Sequence, residues 1–161
     1  MDDSGVSYGD ALRVAQKKGY AEADPTNDVA GYDAARKLAI LASIGFHANV
    51  TFDDVLVEGI EKISQNDVQY ASEMGYTIKL LAVAIRQENG IALNVYPAFV
   101  PRSHPLASVK GSYNAIYVTG NIVDDVMFYG KGAGSLPTAS AVMGDVISTA
   151  KHILNHSTGT G

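Results

Sequence analysis

The sequence predicts an α+β fold: a helical first half packed on one face of a mostly antiparallel or mixed sheet built by the second half, closed by a long C-terminal helix. Three observations predict it. Up to Gly75 the apolar residues recur at three- and four-residue spacing, the period of a helix with one buried face. After Gly75 the composition turns to β-rich runs, TIKLLAVAIRQ and IALNVYPAFV, separated by Glu88-Asn89-Gly90, and successive strands after a block of helices argue for segregated layers. From about Thr138 to Leu154 the helical period returns.

Length and composition bound the rest. A chain of 161 residues buries about 70% of its unfolded surface and supports one hydrophobic core, so a single domain is expected over residues 1–155 with a frayed Ser/Thr/Gly-rich tail at 156–161. Apolar residues make up 47% and charged residues 18% of the chain, which excludes disorder for its body. A formal charge of -5 and the absence of any Lys/Arg stripe exclude a nucleic-acid partner. With no cysteine there is neither a disulfide framework nor a thiolate metal site, which suits a reducing compartment, and cytoplasm is the expected location. No apolar run is long enough for a bilayer, so no membrane partner is expected.

Taken in order, Ser7 to Lys18 place Tyr8, Ala11, Leu12 and Ala15 on one face with Arg13, Gln16 and Lys17 opposite, an amphipathic helix that Gly19 ends. Pro25 then holds Asp24 out of the helical region, and Thr26 or Asn27 can cap the next helix. One helix is expected from about Asp28 to His47. On it Asp33 and Lys37 share a sector with Val29, Ile40 and Ile44, while Arg36, Ser43 and His47 make the better solvent face. The remaining positions are nearly all apolar, so this helix is expected to be covered on most sides and its Asp/Lys pair partly desolvated. Gly31 inside it costs about 1 kcal/mol and needs a compensating reason.

Beyond His47 a short extended or one-turn segment is expected, then a short helix to Ile63, then a helix from Asp67 to Met74 stopped by Gly75. Thr77–Gln87 and Ile91–Val100 form a hairpin on the Asn-Gly signal, with Pro97 and Pro101 placing the far end of the second strand at a sheet edge. Ser103 to Ala107 reads as a capped helical turn. Asn114–Thr119 and Ile122–Tyr129 form a second strand pair around Gly120-Asn121.

Two stretches carry candidate chemistry. The first runs from Gly19 to Ala42, where Glu22, Asp24 and Asp28 precede the Asp33/Lys37 pair. An Asp and a Lys four apart are often a surface pair worth a few tenths of a kcal/mol. A lysine held among carboxylates in a water-poor pocket is instead a proton donor. The second is Gly130 to Thr138, whose glycines let backbone amides approach an anion at a helix start. It has neither Walker spacing nor a following ribose-binding acid, so a plain tight turn and a ligand-facing loop both stay open. No metal is expected: Asp53-Asp54 begins a turn, and His152 with His156 lacks a third ligand.

The run GYAEADPTNDVAGYDAARKLAILA resembles the signature segment of the homoserine dehydrogenases, and GKGAGSLPTASAVMGDVI resembles that family's closing glycine-rich loop and helix. FDDVLVEGI and PAFVPRSHPLASV extend the resemblance, in order, over nearly the whole chain. The resemblance implies Lys37 as proton donor to a substrate carbonyl oxygen and Asp33 in contact with the substrate. It implies Glu22, with Asp28 close by, for the substrate's amino group. Gly19 and the Gly132-Ala133-Gly134 loop would face a nicotinamide cofactor, NADP or NAD. The implied reaction is reduction of L-aspartate 4-semialdehyde to L-homoserine, in aspartate-family amino-acid biosynthesis.

Two departures accompany it. Homoserine dehydrogenases begin with a Rossmann domain carrying GxGxxG, which this sequence lacks, and Lys131 stands where many relatives have proline. The expectation is therefore a substrate-binding and dimerisation domain, homodimeric and inactive alone, whose closing helix leaves Val142, Val146 and Ile147 without their usual cover. Two other classes are a non-catalytic amino-acid-binding regulatory module, which would use Glu22, Asp28 and Asp33 but not Lys37, and a purely structural dimerisation domain.

Overall fold

The computed structural model describes residues 8–17, 23–132 and 134–155. The chain divides into two compact units, Met1–Ala107 and Ser108–Gly161. In the first unit α1 spans Tyr8–Lys17, α2 Thr26–Val29, α3 Tyr32–Phe46 and α4 Gln65–Glu73; β1 spans Leu56–Val57, β2 Tyr76–Gln87 and β3 Gly90–Pro101. In the second, β4 (Tyr113–Gly120) and β5 (Asp124–Lys131) precede α5 (Ser135–Leu154). The α+β class stands, with the strands in two small sheets.

The first sheet has the order β1-β3-β2. β2 and β3 pair antiparallel without a break, from Tyr76↔Pro101 to Gln87↔Gly90, so Glu88 and Asn89 form the turn and Gly90 already belongs to the strand. β1 lies parallel on the other side of β3, through Leu56↔Asn94 and Val57↔Val95, and Glu58 N–H extends the ladder to Val95 O at 2.7 Å. Past that point no further described strand borders β3. Pro97 and Pro101 therefore sit where a missing N–H costs no ladder bond, at the expected edge.

The core is formed where α3 lies on this sheet. Ala35, Leu38, Ala39 and Ala42 are buried against Val55, Leu93 and Val95, with Leu80, Ala84 and Ile91 packed around them. Small residues on the helix stripe let its backbone come close to the strands. Thr77 and Val100 are directly paired and both buried, and by strand alternation they belong to the opposite face.

Three local expectations are corrected. The helix expected from Asp28 to His47 is two helices, because Gly31 adopts φ +83°, a left-handed conformation that a side chain resists. A Cβ there would also lie 3.0 Å from Val95 Cγ1 and 3.2 Å from Val57 Cγ1, so the glycine's cost in a helix is the condition for a break seated on the sheet. The short helix expected up to Ile63 is absent: Leu56–Val57 is a strand, and Gly59 packs so tightly that a Cβ would approach Val29 O to 2.4 Å. Neither Thr26 nor Asn27 caps α2, which starts after Pro25 without a side-chain cap, while Asp24 Oδ1 just before it accepts from Thr26 N–H at 3.1 Å and Thr26 Oγ1 at 2.6 Å.

α4 begins at Gln65, two residues before the expected Asp67. Ser64 Oγ accepts from Asp67 N–H at 3.2 Å, and the Asp67 carboxylate accepts from Ser64 Oγ at 2.6 Å and Ser64 N–H at 2.8 Å, a reciprocal capping box. Bonds from the Ser64 hydroxyl and amide hold the Asp67 carboxyl below its usual range. The expected turn near His104 is a 3-10 turn at Pro105–Ser108, with His104 Nδ1 accepting from Leu106 N–H at 3.1 Å.

In the second unit β4 and β5 pair from Tyr113↔Lys131 to Gly120↔Asp124, so Ile122 and Val123 fall in the turn. Tyr113 and Tyr129 stack at 4.7 Å between centroids, and Lys131 Nζ lies 5.7 Å over the Tyr113 ring. A hydrogen bond to Asp125 raises the pKa of the Tyr117 phenol. α5 starts at Ser135, three residues before the expected Thr138, with Pro137 in its first turn, where proline is tolerated. No residue of α5 is buried, and Val142, Val146 and Ile147 are each about half exposed, at 55%, 53% and 52%.

Candidate functional site

The acidic turn and α3 are held together by the framework beneath them. A four-residue helix cannot sustain itself. α2 persists because Asp24 binds Thr26 at its start and Val29 O, at its end, accepts from Ile60 N–H at 2.8 Å beside the close packing of Gly59. The bond from the Thr26 hydroxyl, then that from the Thr26 amide, draws the Asp24 carboxyl below its usual range. Asp28 is exposed on this helix. Gly31 then redirects the chain into α3, which carries the charged pair.

Lys37 Nζ lies 2.7 Å from Asp33 Oδ2, an i,i+4 ion pair whose side chains are 70% and 46% exposed. This corrects the expectation of a partly desolvated pair. The buried stripe of α3 is Ala35, Leu38, Ala39 and Ala42. At 100° per residue the sector holding Asp33, Lys37, Ile40 and Ile44 lies on the opposite side. Ile40 and Ile44 are accordingly 61% and 67% exposed, so the charged pair stands on an outward face that is otherwise apolar. The supposed solvent face is partly engaged: Ser43 Oγ donates to Val50 O and accepts from Val50 N–H, both at 3.2 Å.

Arg36 is the residue that sequence reasoning left as ordinary surface. Its Nη1 donates to Asn27 Oδ1 at 3.0 Å, and its Cζ lies 5.3 Å from the centre of the Phe52 ring, which meets Tyr32 edge-to-face at 6.0 Å. No local pattern marks a pair nine positions apart on two helices. An open groove of about 460 Å³ lies beside it, between Ile40, Ile44, Val50 and Phe52.

Gly19, Glu22 and Ala133 lie outside the described residues. Gly132 and Gly134 sit in the second unit. Gly134 is the N-cap of α5 at φ +124°, without a side-chain cap, and its carbonyl accepts from Thr138 N–H at 3.0 Å. A Cβ at Gly132 would meet the Asn114 side-chain amide of β4, which would have to turn aside. At Gly134 the nearest atoms to an added Cβ would be Pro137 Cδ at 3.4 Å and Cγ at 3.6 Å, ordinary or near-ordinary contacts. Among the described residues there is no cluster of three His, Asp or Glu suited to a metal.

The described site thus comprises the exposed Asp33–Lys37 ion pair on α3, with Asp24 and Asp28 preceding it at α2. The homoserine dehydrogenase family profile matches residues 1–147. Homoserine dehydrogenase of Corynebacterium glutamicum is 53% identical over 157 residues, covering 94% of this chain and 35% of that protein. The Bacillus subtilis homoserine dehydrogenase is 47% identical over 146 residues, covering 91% and 34%. Among solved structures, a homoserine dehydrogenase from Thiobacillus denitrificans superposes with a TM-score of 0.91 at 46% identity, over 96% of this chain and 36% of that one. That of S. aureus gives 0.88 at 42%, over 98% and 39%. The chain belongs to the homoserine dehydrogenase family, whose members here are oxidoreductases. It spans about a third of the length of these relatives.

Proposed function

We propose that the chain carries the substrate-binding and proton-donating residues of a homoserine dehydrogenase, acting in reduction of L-aspartate 4-semialdehyde to L-homoserine on the route to threonine and methionine. The observation that supports it best is the Asp33–Lys37 pair at 2.7 Å on the outward face of α3, a helix made rigid by its opposite face. Lys37 Nζ gives its proton to the aldehyde oxygen as negative charge develops there, and Asp33 keeps the ammonium aimed. Glu22, Asp28 and Asp33 supply carboxylates for the substrate's amino group. NADP or NAD supplies the hydride when bound, and Gly19 with Gly132 to Gly134 would lie against its nicotinamide end. We place the protein in the cytoplasm as a homodimer; no described helix is long and apolar enough to cross a membrane.

The exposure of Lys37 carries a second part of the reading. Water screens a pair so exposed, and transition-state electrostatics gain their strength where water is excluded. The chain alone is therefore expected to be inactive, its site completed by additional protein that covers α3. NADPH oxidation with aspartate semialdehyde at a rate normal for the family, by this polypeptide alone, overturns that part. Calorimetry with homoserine tests the roles: Lys37→Ala is expected to weaken binding roughly 3- to 10-fold, the loss of one hydrogen bond. An unchanged affinity would favour a regulatory amino-acid-binding module instead.

A further inference from the structure

The turn bearing Asp28 and the helix bearing Asp33 and Lys37 are separate elements, joined in the chain through Ala30 and the left-handed Gly31. Arg36, adjacent in sequence to Lys37, reaches back across that junction to Asn27, adjacent to Asp28, with an Nη1–Oδ1 distance of 3.0 Å. Its guanidinium is itself restrained, lying 5.3 Å from the Phe52 ring centre, and Phe52 packs edge-to-face on Tyr32 at the start of α3. A planar guanidinium laid on an aromatic face is pre-organised for a directed hydrogen bond in a way that a free side chain is not.

We propose that Arg36 is a positioning residue for this site: through Asn27 it holds α2, and with it the Asp28 carboxylate, in register with Asp33 and Lys37. The proposal rests on the reading of those three residues as the substrate site. Arg36 touches no reacting atom, and it acts by fixing the angle at which the Asp28 turn faces the outward surface of α3. Phe52 thereby becomes part of the device, since removing the ring frees the guanidinium.

Two measurements on the 161-residue chain test it. In ligand-free hydrogen exchange, Arg36→Ala and Asn27→Ala are expected to speed exchange of the Val29 and Ala30 amides, which bond to Pro25 O and Thr26 O, by roughly 3- to 10-fold. The double variant should add nothing to either single one, and α4 amides should not change. Arg36→Lys, which can still donate to Asn27, should recover part of the protection. Unchanged exchange at Val29 and Ala30, additive effects, or acceleration spread equally to α4 overturns the brace.

The second measurement is homoserine affinity by calorimetry. The same variants are expected to lose a similar factor, non-additively, while the thermal midpoint stays put. If exchange responds but affinity does not, the brace exists and its positioning role is overturned. If the unsubstituted chain binds no homoserine at all, the substrate reading fails and the positioning role with it, while exchange still decides the brace itself.

Discussion

α3 and α5 are both long, apolar-rich helices, of 15 and 20 residues, and both start on a glycine in a left-handed or otherwise non-helical conformation without a side-chain cap. Their burial differs completely. α3 loses Ala35, Leu38, Ala39 and Ala42 to the core, whereas α5 buries nothing and exposes Val142, Met143, Val146 and Ile147. Apolar content therefore does not tell which helix is structural. What matters is whether a narrow stripe of small residues meets a sheet, as α3's alanines do. The outward face of α3 behaves like α5, with Ile40 and Ile44 in solvent beside the ion pair.

The contrast can be broken most strongly at Leu38. Leu38→Ala removes a side chain that is 6% exposed in the α3 core and is expected to cost about 3 kcal/mol in urea unfolding. Ile147→Ala in α5 should stay within about 0.5 kcal/mol. Equal losses at the two sites would mean that α5 has a packing partner after all.

A smaller effect separates the two starting glycines. Gly31→Ala meets both a positive φ and the Val95 and Val57 methyls, while at Gly134 the nearest atom is Pro137 Cδ at 3.4 Å. We expect Gly31→Ala to lower stability by about 2 kcal/mol and Gly134→Ala by about 1 kcal/mol, the second from backbone conformation alone. A larger loss at Gly134 would reverse the comparison and make the start of α5 the tighter seat.

The smallest effect concerns α4, which unlike α3 and α5 begins with a side-chain cap. The Asp67 carboxyl has its pKa lowered in the fold by the Ser64 hydroxyl and amide. Its contribution is therefore present above the unfolded carboxylate value, about 3.9, and is lost as pH falls through the lower folded value. Amide exchange in α4 should accelerate over that acid range. In Asp67→Asn it should already be faster at neutral pH and show no such acid step, while α3 and α5 titrate no cap in either protein.

Much of this was legible beforehand because it depends on neighbours in the chain. The β2–β3 hairpin arises from two β-rich runs flanking Glu88-Asn89-Gly90, α4 from a helical pattern stopped by Gly75, and the closeness of Asp33 to Lys37 from helical spacing alone. The long motifs about Asp24-Pro25 and Gly130-Lys131-Gly132 were enough to resemble one family. Other features were hidden because they depend on residues far away. Gly31 breaks the helix at φ +83°, where a Cβ would also crowd the Val95 methyl on β3. Leu56–Val57 is a strand rather than helix because Asn94 and Val95 offer it a parallel edge.

Sequence by itself determined the candidate chemistry of this protein: which carboxylates precede which lysine, and that one helical turn brings Asp33 and Lys37 together. Tertiary structure decided which way they face. A helix of alanine, leucine and isoleucine has apolar residues on nearly every side, so its periodicity cannot say which stripe will be buried. Only the close approach of Ala35, Leu38, Ala39 and Ala42 to the sheet turned the opposite sector outward and left the pair in water. The same tertiary placement put Arg36 within reach of Asn27, a contact nine residues long in sequence and 3.0 Å in space.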